Sequence, residues 1–295
     1  MSDTEFLARR FEEHRSQLRA VAYRMLGSLS DAEDAVQEAW IRLQRSDVDG
    51  VANLTGWLTT VVGRVCLDML RTRTARREDP LDDIRVPDPI VAPIPSAGDP
   101  EQEAVLADAV GIALLVVLDT LTPAERLAYV LHDMFGVPFA DIAPVVNRSV
   151  DATKMLASRA RSRLRGADRT PDGDLARQRE VVAAFQAASR AGDFEALLRV
   201  LHPDVVLRAD GGTAGIASRL LRGADQVASS AMSFRWAAEY GRPALVNGGP
   251  GAVTVIDGEI MSVLAFTVVG GRIVEIDVLA DPERLAGIDV AELGF

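Results

Sequence analysis

The chain has 295 residues, 48% of them hydrophobic, with 43 acidic and 32 basic side chains and a formal net charge of −11. That length supports two or three domains with packed cores. The single Cys66 excludes an internal disulfide and a cysteine-rich zinc site, and the acidic balance excludes a protein that coats nucleic acid by charge alone. The polar N-terminus is unlike a secretion signal. The longest apolar run, Ile112–Leu118, is too short to span a bilayer. A cytoplasmic protein is therefore expected, with no membrane contact, no metal and no cofactor.

Charge is unevenly distributed. Arg64–Arg77 carries five basic residues and one acidic, and Val145–Arg169 carries seven basic and two acidic. Between these islands Glu78–Asp108 carries nine acidic residues and one basic. Such islands suit selective contact with nucleic acid.

In chain order, Phe6, Leu7, Phe11, Leu18, Val21, Ala22 and Met25 keep helical spacing, and Gly27 ends that helix. Ser30 is the expected cap of the next one, with Glu33 completing a capping box. Ala32, Ala35, Val36, Ala39, Trp40 and Leu43 form its apolar stripe, while Asp31, Asp34, Gln37 and Glu38 project elsewhere. Gly56-Trp57-Leu58 opens a third helix that ends in Arg71, Arg73, Arg76 and Arg77. Six prolines, at 80, 87, 89, 93, 95 and 100, then break any helix and predict an extended acidic linker over 78–100.

Ala104 to Leu121 reads as a helix buried on much of its surface. Thr122-Pro123 is a helix start, with Thr as cap and Pro in the first position, and Gly136 is the stop. Phe139, Ile142 and Ala143 follow at helical spacing. Asn147 lies at a sharp turn, where Asn tolerates a left-handed backbone, and Ser149 is a candidate cap. Ala152, Met155, Leu156, Ala160 and Leu164 predict the buried stripe of the next helix, leaving Lys154, Ser158, Arg161 and Arg165 opposite. The pair reads as a helix-turn-helix whose second helix fits a major groove.

The ordered motifs DAEDAVQEAW, GWL, LDMLR with its arginine tail, an acidic linker, TPAER, FADIA and SRARSRLR resemble those of extracytoplasmic-function sigma factors, the minimal promoter-specificity subunits of bacterial RNA polymerase. The resemblance covers about Phe6–Arg165. It implies an all-helical sigma-2 domain over 1–77, the linker, and a sigma-4 helix-turn-helix domain over 101–169. It further implies that Asp31, Asp34, Gln37 and Glu38 meet the polymerase clamp. Asn53, Trp57, Arg64, Arg71, Arg73, Arg76 and Arg77 would contact the melted −10 element, although many members carry Asn where Arg64 stands. Arg148, Ser149, Thr153, Lys154, Ser158 and Arg161 would contact the −35 element. In this family the linker threads toward the polymerase active centre.

Thr170-Pro171-Asp172-Gly173 is a turn-rich boundary. Beyond it helical stripes (Val181 to Ala188, Phe194 to Leu201, about Ala224–Ala237) give way to strands near 205–208, 244–246, 252–256, 261–269 and 272–279. Gly270-Gly271 is a two-residue hairpin signal. Residues 174–295 thus read as α+β with a curved antiparallel sheet, similar to the SnoaL-like cone of the nuclear-transport-factor-like superfamily. The fold decides no chemistry by itself. Asp210 and Asp257 precede glycines and read as turn residues, Asp277 is a candidate cavity acid, and His202 reads as a helix end. No coupled acid–base pair stands out, so no catalysis is expected.

Sigma factors with such a tail resemble a class in which the fused domain replaces or supplements an anti-sigma factor. Three segments match that class loosely: Val86-Pro87-Asp88-Pro89, Asp210-Gly211-Gly212 and Asp281-Pro282-Glu283-Arg284-Leu285. They imply regulatory contacts by Pro87, Asp88, Asp210, Gly211, Gly212, Asp281 and Pro282. The expected partners are core polymerase, promoter DNA, the chain's own sigma domains and a small molecule in the cone. The rival readings are a ligand-sensing helix-turn-helix regulator without sigma activity, and a SnoaL-like enzyme fused to a DNA-binding part.

Overall fold

A computed structural model describes residues 3–45, 53–76, 84–94, 110–166, 171–212 and 217–294. The chain forms two compact units, Met1–Pro80 with Val117–Asp168, and Leu81–Val116 with Arg169–Phe295. No helix among the described residues is long and apolar enough to cross a membrane.

The first unit is helical. Its front is α1 (Asp3–Leu26), α2 (Leu29–Gln44) and α3 (Leu54–Arg76). Leu18, Met25, Leu43, Leu58 and Leu67 are fully buried, as the apolar spacing requires. Gly27 closes α1 with φ 66°. The cap of α2 is Ser28, whose hydroxyl accepts from the Asp31 amide at 3.4 Å. This corrects the expectation of Ser30. Because Gly27 turns the chain so abruptly, the helix starts two residues earlier than the serine pattern suggests, and Glu33 pairs with Arg15 instead of closing a box.

After α4 (Ile112–Asp119) comes α5 (Pro123–Tyr129), which runs into a π-helical turn at Val130–Met134. Thr122 caps α5 with a reciprocal capping box: its hydroxyl accepts from the Glu125 amide, and the Glu125 carboxylate accepts from the Thr122 amide at 3.1 Å. α6 (Phe139–Val146) and α7 (Val150–Gly166) complete the unit. Pro144 does not shorten α6, which runs on to Val146. The α3 and α5 backbones come close because position 63 is Gly. A Cβ there would stand 3.0 Å from Leu127 Cδ1 and from Leu131 Cδ1.

Arg126 on α5 is 2% exposed. Its Nε and Nη2 each donate to the Arg24 carbonyl at 3.1 Å, and Nη1 pairs with Asp119. Burial lowers its pKa. Cys66 is also buried, which pushes its thiol up to about 12. A neutral, enclosed thiol offers neither a nucleophile nor a metal ligand.

The second unit joins α8 (Leu175–Ala191), α9 (Phe194–Val200), α10 (Ala224–Ser233) and the one-turn α11 (Arg235–Ala238) to a sheet. The strands are β1 (Val91–Ala92), β2 (Leu201–Asp210), β3 (Arg219–Arg222), β4 (Gly241–Val246), β5 (Gly249–Ile256), β6 (Glu259–Val269) and β7 (Arg272–Leu279). Their order is β1-β4-β5-β6-β7-β2-β3. The sheet is mixed, with β2 parallel to β7 and the other pairs antiparallel. That corrects the purely antiparallel expectation. His202 also departs from its expected helix end: it lies in β2, where its Nδ1 accepts from the Asp204 amide at 3.1 Å.

Gly270 and Gly271 both take positive φ, as the tight β6–β7 turn demands. Asp172 accepts from both of their amides, at 2.8 and 2.9 Å. Those bonds lower its pKa, Gly271 contributing most. The sign follows: a carboxyl depressed in the folded state adds stability above its unfolded pKa, lost as pH falls through the folded value. Amide exchange at Gly270 and Gly271 should therefore accelerate in acid below the ordinary Asp range, and Asp172→Ala should abolish that pH dependence. An unchanged profile would refute the contact.

Candidate nucleic-acid interface and linker clasp

Asn147 takes the left-handed conformation, φ 55° and ψ 55°, and its amide closes α6 onto Ala143 and Pro144. Ser149 then caps α7, its hydroxyl accepting from the Ala152 amide at 3.2 Å. Arg148, Ser149, Lys154 and Ser158 are exposed. Lys154 pairs with Asp151, at 3.1 Å. Thr153 departs from its expected role on DNA. It is fully buried, and its hydroxyl donates back to the Ser149 carbonyl at 2.9 Å. Thr153, Ala157 and Ala160 form the buried line, while Met155 is 55% exposed. The stripe is rotated from the expected one because a back-bonded Thr needs no outside partner and packs like Val. Arg161 makes two bonds to Asp133, at 2.6 and 3.1 Å, which raise its pKa. Arg163 pairs with Glu125 at 2.8 Å. These two pairs lash α7 to α5 and its π turn.

On the front helices, Asn53 is exposed and caps α3, accepting from the Gly56 amide at 2.9 Å. Trp57 is half-buried and Arg64 exposed. Arg71 lies 4.0 Å from Asp68. Arg73 pairs with Asp31, so one expected DNA residue is tied to one expected polymerase residue. Asp31, Asp34 and Glu38 line a shallow groove with Arg42, Asp68 and Arg73. Glu38 pairs with Arg42 at 2.9 Å, and Gln37 faces a separate recess beside Phe11 and Trp40. The Arg76 side chain and Arg77 lie outside the described residues.

The linker segment 84–94 belongs to the second unit. Arg284, on α12 (Pro282–Leu285), is its chief holder. The Arg284 Nε donates to Asp88 at 2.6 Å, Nη1 to Asp210 at 2.7 Å and Nη2 to the Val86 carbonyl at 2.5 Å. Asp210 is buried and also accepts from the Val86 amide at 3.0 Å and the Gly212 amide at 3.1 Å. It does not serve as a mere turn residue. Gly212 has φ 62°, and a Cβ there would overlap the Asp281 carboxylate. Pro87 and Pro282 flank the clasp in sequence, and Gly211 is buried beside Asp210.

Asn247 holds a second point. Its amide donates to the Ile90 carbonyl at 2.8 Å, and its Oδ1 accepts from the Ile90 amide at 2.8 Å. Its Nδ2 donates to the Val110 carbonyl at 2.9 Å. Val91 and Ala92 then pair with Val246 and Leu245. Arg284 and Asn247 were not singled out from sequence. The first stood inside a quoted segment, and Asn247-Gly248 carries the signal of an ordinary hairpin turn.

Asp277 corrects another expectation. Ile276 and Val278 line the cavity of this unit, so strand alternation places Asp277 on the opposite face. There it is buried and pairs with Arg208 at 3.0 Å, as does Glu275. Asp257 takes φ 53° in the β5–β6 turn. No His or Asp lines the cavity among the described residues.

The fold and surfaces define a sigma-type transcription factor with a fused α+β domain. The sigma-70 region 2 profile matches residues 10–76, and the sigma-70 region 4 profile matches residues 112–164. The chain is 39% identical to the ECF RNA polymerase sigma factor SigJ of Mycobacterium tuberculosis, over 96% of this chain and 94% of that one. It is 34% identical to a probable ECF sigma factor, SigI, of the same organism, over 100% of this chain and 99% of that one. The crystal structure of M. tuberculosis SigJ superposes with a TM-score of 0.74 at 38% identity, covering 95% of this chain and 98% of that one. The chain belongs to the extracytoplasmic-function RNA polymerase sigma factors, and its second unit is an α+β domain built on a mixed sheet.

Proposed function

We propose that this sigma factor recruits core polymerase through the exposed acidic face of α2 and reads −35 DNA with Arg148, Ser149, Lys154 and Ser158. The exposed flank of α3 around Arg64 would meet the −10 strand, and the work is cytoplasmic. The second unit acts in cis by holding the linker. One observation carries that last point: linker residues 84–94 are integrated into the second unit by Arg284, Asn247 and a strand pairing. A linker so held cannot thread into polymerase. The same chain segment thus has two competing sites.

Promoter-directed transcription with purified core polymerase tests the reading. Arg148→Ala with Lys154→Ala should remove phosphate contacts, weakening promoter engagement by about tenfold or more and lowering its salt slope by about two. Core binding should be unchanged. Asp34→Ala with Gln37→Ala should do the reverse. Specific duplex binding by the full chain without polymerase, together with no initiation, would favour the ligand-sensing regulator instead.

A further inference from the structure

The second unit contains a cavity of about 750 Å³, walled by Phe185, Leu264, Phe266, Ile276 and Val278, among others. That is ample for a small organic molecule. Two charged side chains line it, Arg219 and Glu259, and Glu259 lies exposed at the rim. The Arg219 guanidinium carbon lies over the Phe234 ring, 4.6 Å from its centroid. It forms no ion pair with an acid among the described residues. A ring contact of this kind leaves guanidinium N–H donors for an anion.

Ser189 lines the cavity and is 5% exposed, and its hydroxyl is enclosed without a hydrogen-bond partner among the described residues. By contrast, the Thr254 and Ser262 hydroxyls satisfy each other at 2.9 Å. Apolar walls and a cation with no ion pair among the described residues together describe one chemical class.

The cavity also shares a wall with the linker clasp. Pro282 and Leu285 of α12 line it, as do Gly211 and Ala280. Arg284, between those two, grips Asp88, Asp210 and Val86. In its clasped position, α12 completes the cavity.

We propose that this cavity binds a compact apolar monoanion, an aromatic or alicyclic carboxylate, sulfonate or phenolate, whose charge meets Arg219, and that occupancy and linker closure stabilise each other through α12. The ligand claim stands on the cavity alone. The coupling claim rests on that part of the reading above in which the second unit holds the linker, not on its effect on transcription.

Anilinonaphthalene sulfonate and its uncharged parent, phenylnaphthylamine, are matched probes that differ by one anionic group. The full chain should bind the sulfonate at one site, about tenfold tighter than the parent. Arg219→Gln should erase that preference while sparing the parent. Ala252→Trp, and independently Val278→Phe, should fill the cavity and abolish both signals, with circular dichroism confirming the fold. Equal affinities, or binding untouched by both fillers, would overturn the site. Linkage requires reciprocity: saturating sulfonate should slow proteolysis of the linker, and Asp88→Asn should weaken the probe by the same factor. Binding without that reciprocity would overturn the coupling. Binding with it, but with transcription indifferent to Arg284→Ala, would leave the inference intact and defeat the regulatory reading.

Discussion

Arg284→Ala is expected to open the linker about a hundredfold more often, from a cost of about 3 kcal/mol. Arg284 is 20% exposed, and its acceptors Asp88 and Asp210 are 13% and 8% exposed. Removing the cation leaves the buried Asp210 carboxylate with two amide donors, Val86 and Gly212, and no positive partner among the described residues. The Val86 carbonyl loses a donor as well. Tryptic cleavage after Arg85, followed by mass spectrometry at low protease, reads the opening directly. Arg284→Lys should recover only part of the protection, because an ammonium cannot fork between two carboxylates and a carbonyl. Equal cleavage rates in the three proteins would mean that the clasp contributes nothing. The same variants in the transcription assay give the sign of regulation.

Arg126→Ala is expected to lower the stability of the helical unit by about 2–3 kcal/mol. The Arg24 carbonyl would lose both of its Arg126 donors, and a cavity would replace a 2%-exposed side chain. Asp119 loses its partner too, but at 37% exposure it can hydrate, so its share is small. Arg126→Met keeps the volume and should therefore be the milder change. Urea denaturation of the first unit, read by Trp40 and Trp57 fluorescence, checks the order. If alanine and methionine fell together, packing would matter less than the hydrogen bonds to Arg24.

Local rules were enough where one residue does one job. Asn147 in its left-handed turn, Thr122 over Glu125 and the Gly270-Gly271 turn were all readable because their partners lie within a few residues. Ser28 displaced Ser30 because two serines compete within three positions, and only the turn at Gly27 decides between them. Thr153 was misplaced because hydropathy ranks Met above Thr, whereas a back-bonded Thr hides its hydroxyl and Met155 faces solvent. The clasp was half legible. Its acids stood in quoted segments, but Arg284 meets Asp88 from 196 positions away. β1 and β3 have two and four residues, too few for a period to show.

Asn247 also sets a length. A fully extended chain from Arg76 to Ile112 could reach about 120 Å at about 3.4 Å per residue. Asn247, however, bonds both Ile90 and Val110, bringing positions twenty residues apart to one side chain. With that hook closed, fourteen residues up to Ile90 and two beyond Val110 remain to pay out, a contour of roughly 55 Å. Elements named for −35 and −10 lie about 25 base pairs apart, about 85 Å along the duplex. One amide side chain therefore works as the catch on a retractable cord. While it is shut, the free chain between Arg76 and Ile112 is shorter than that separation, and with the hook open it is longer.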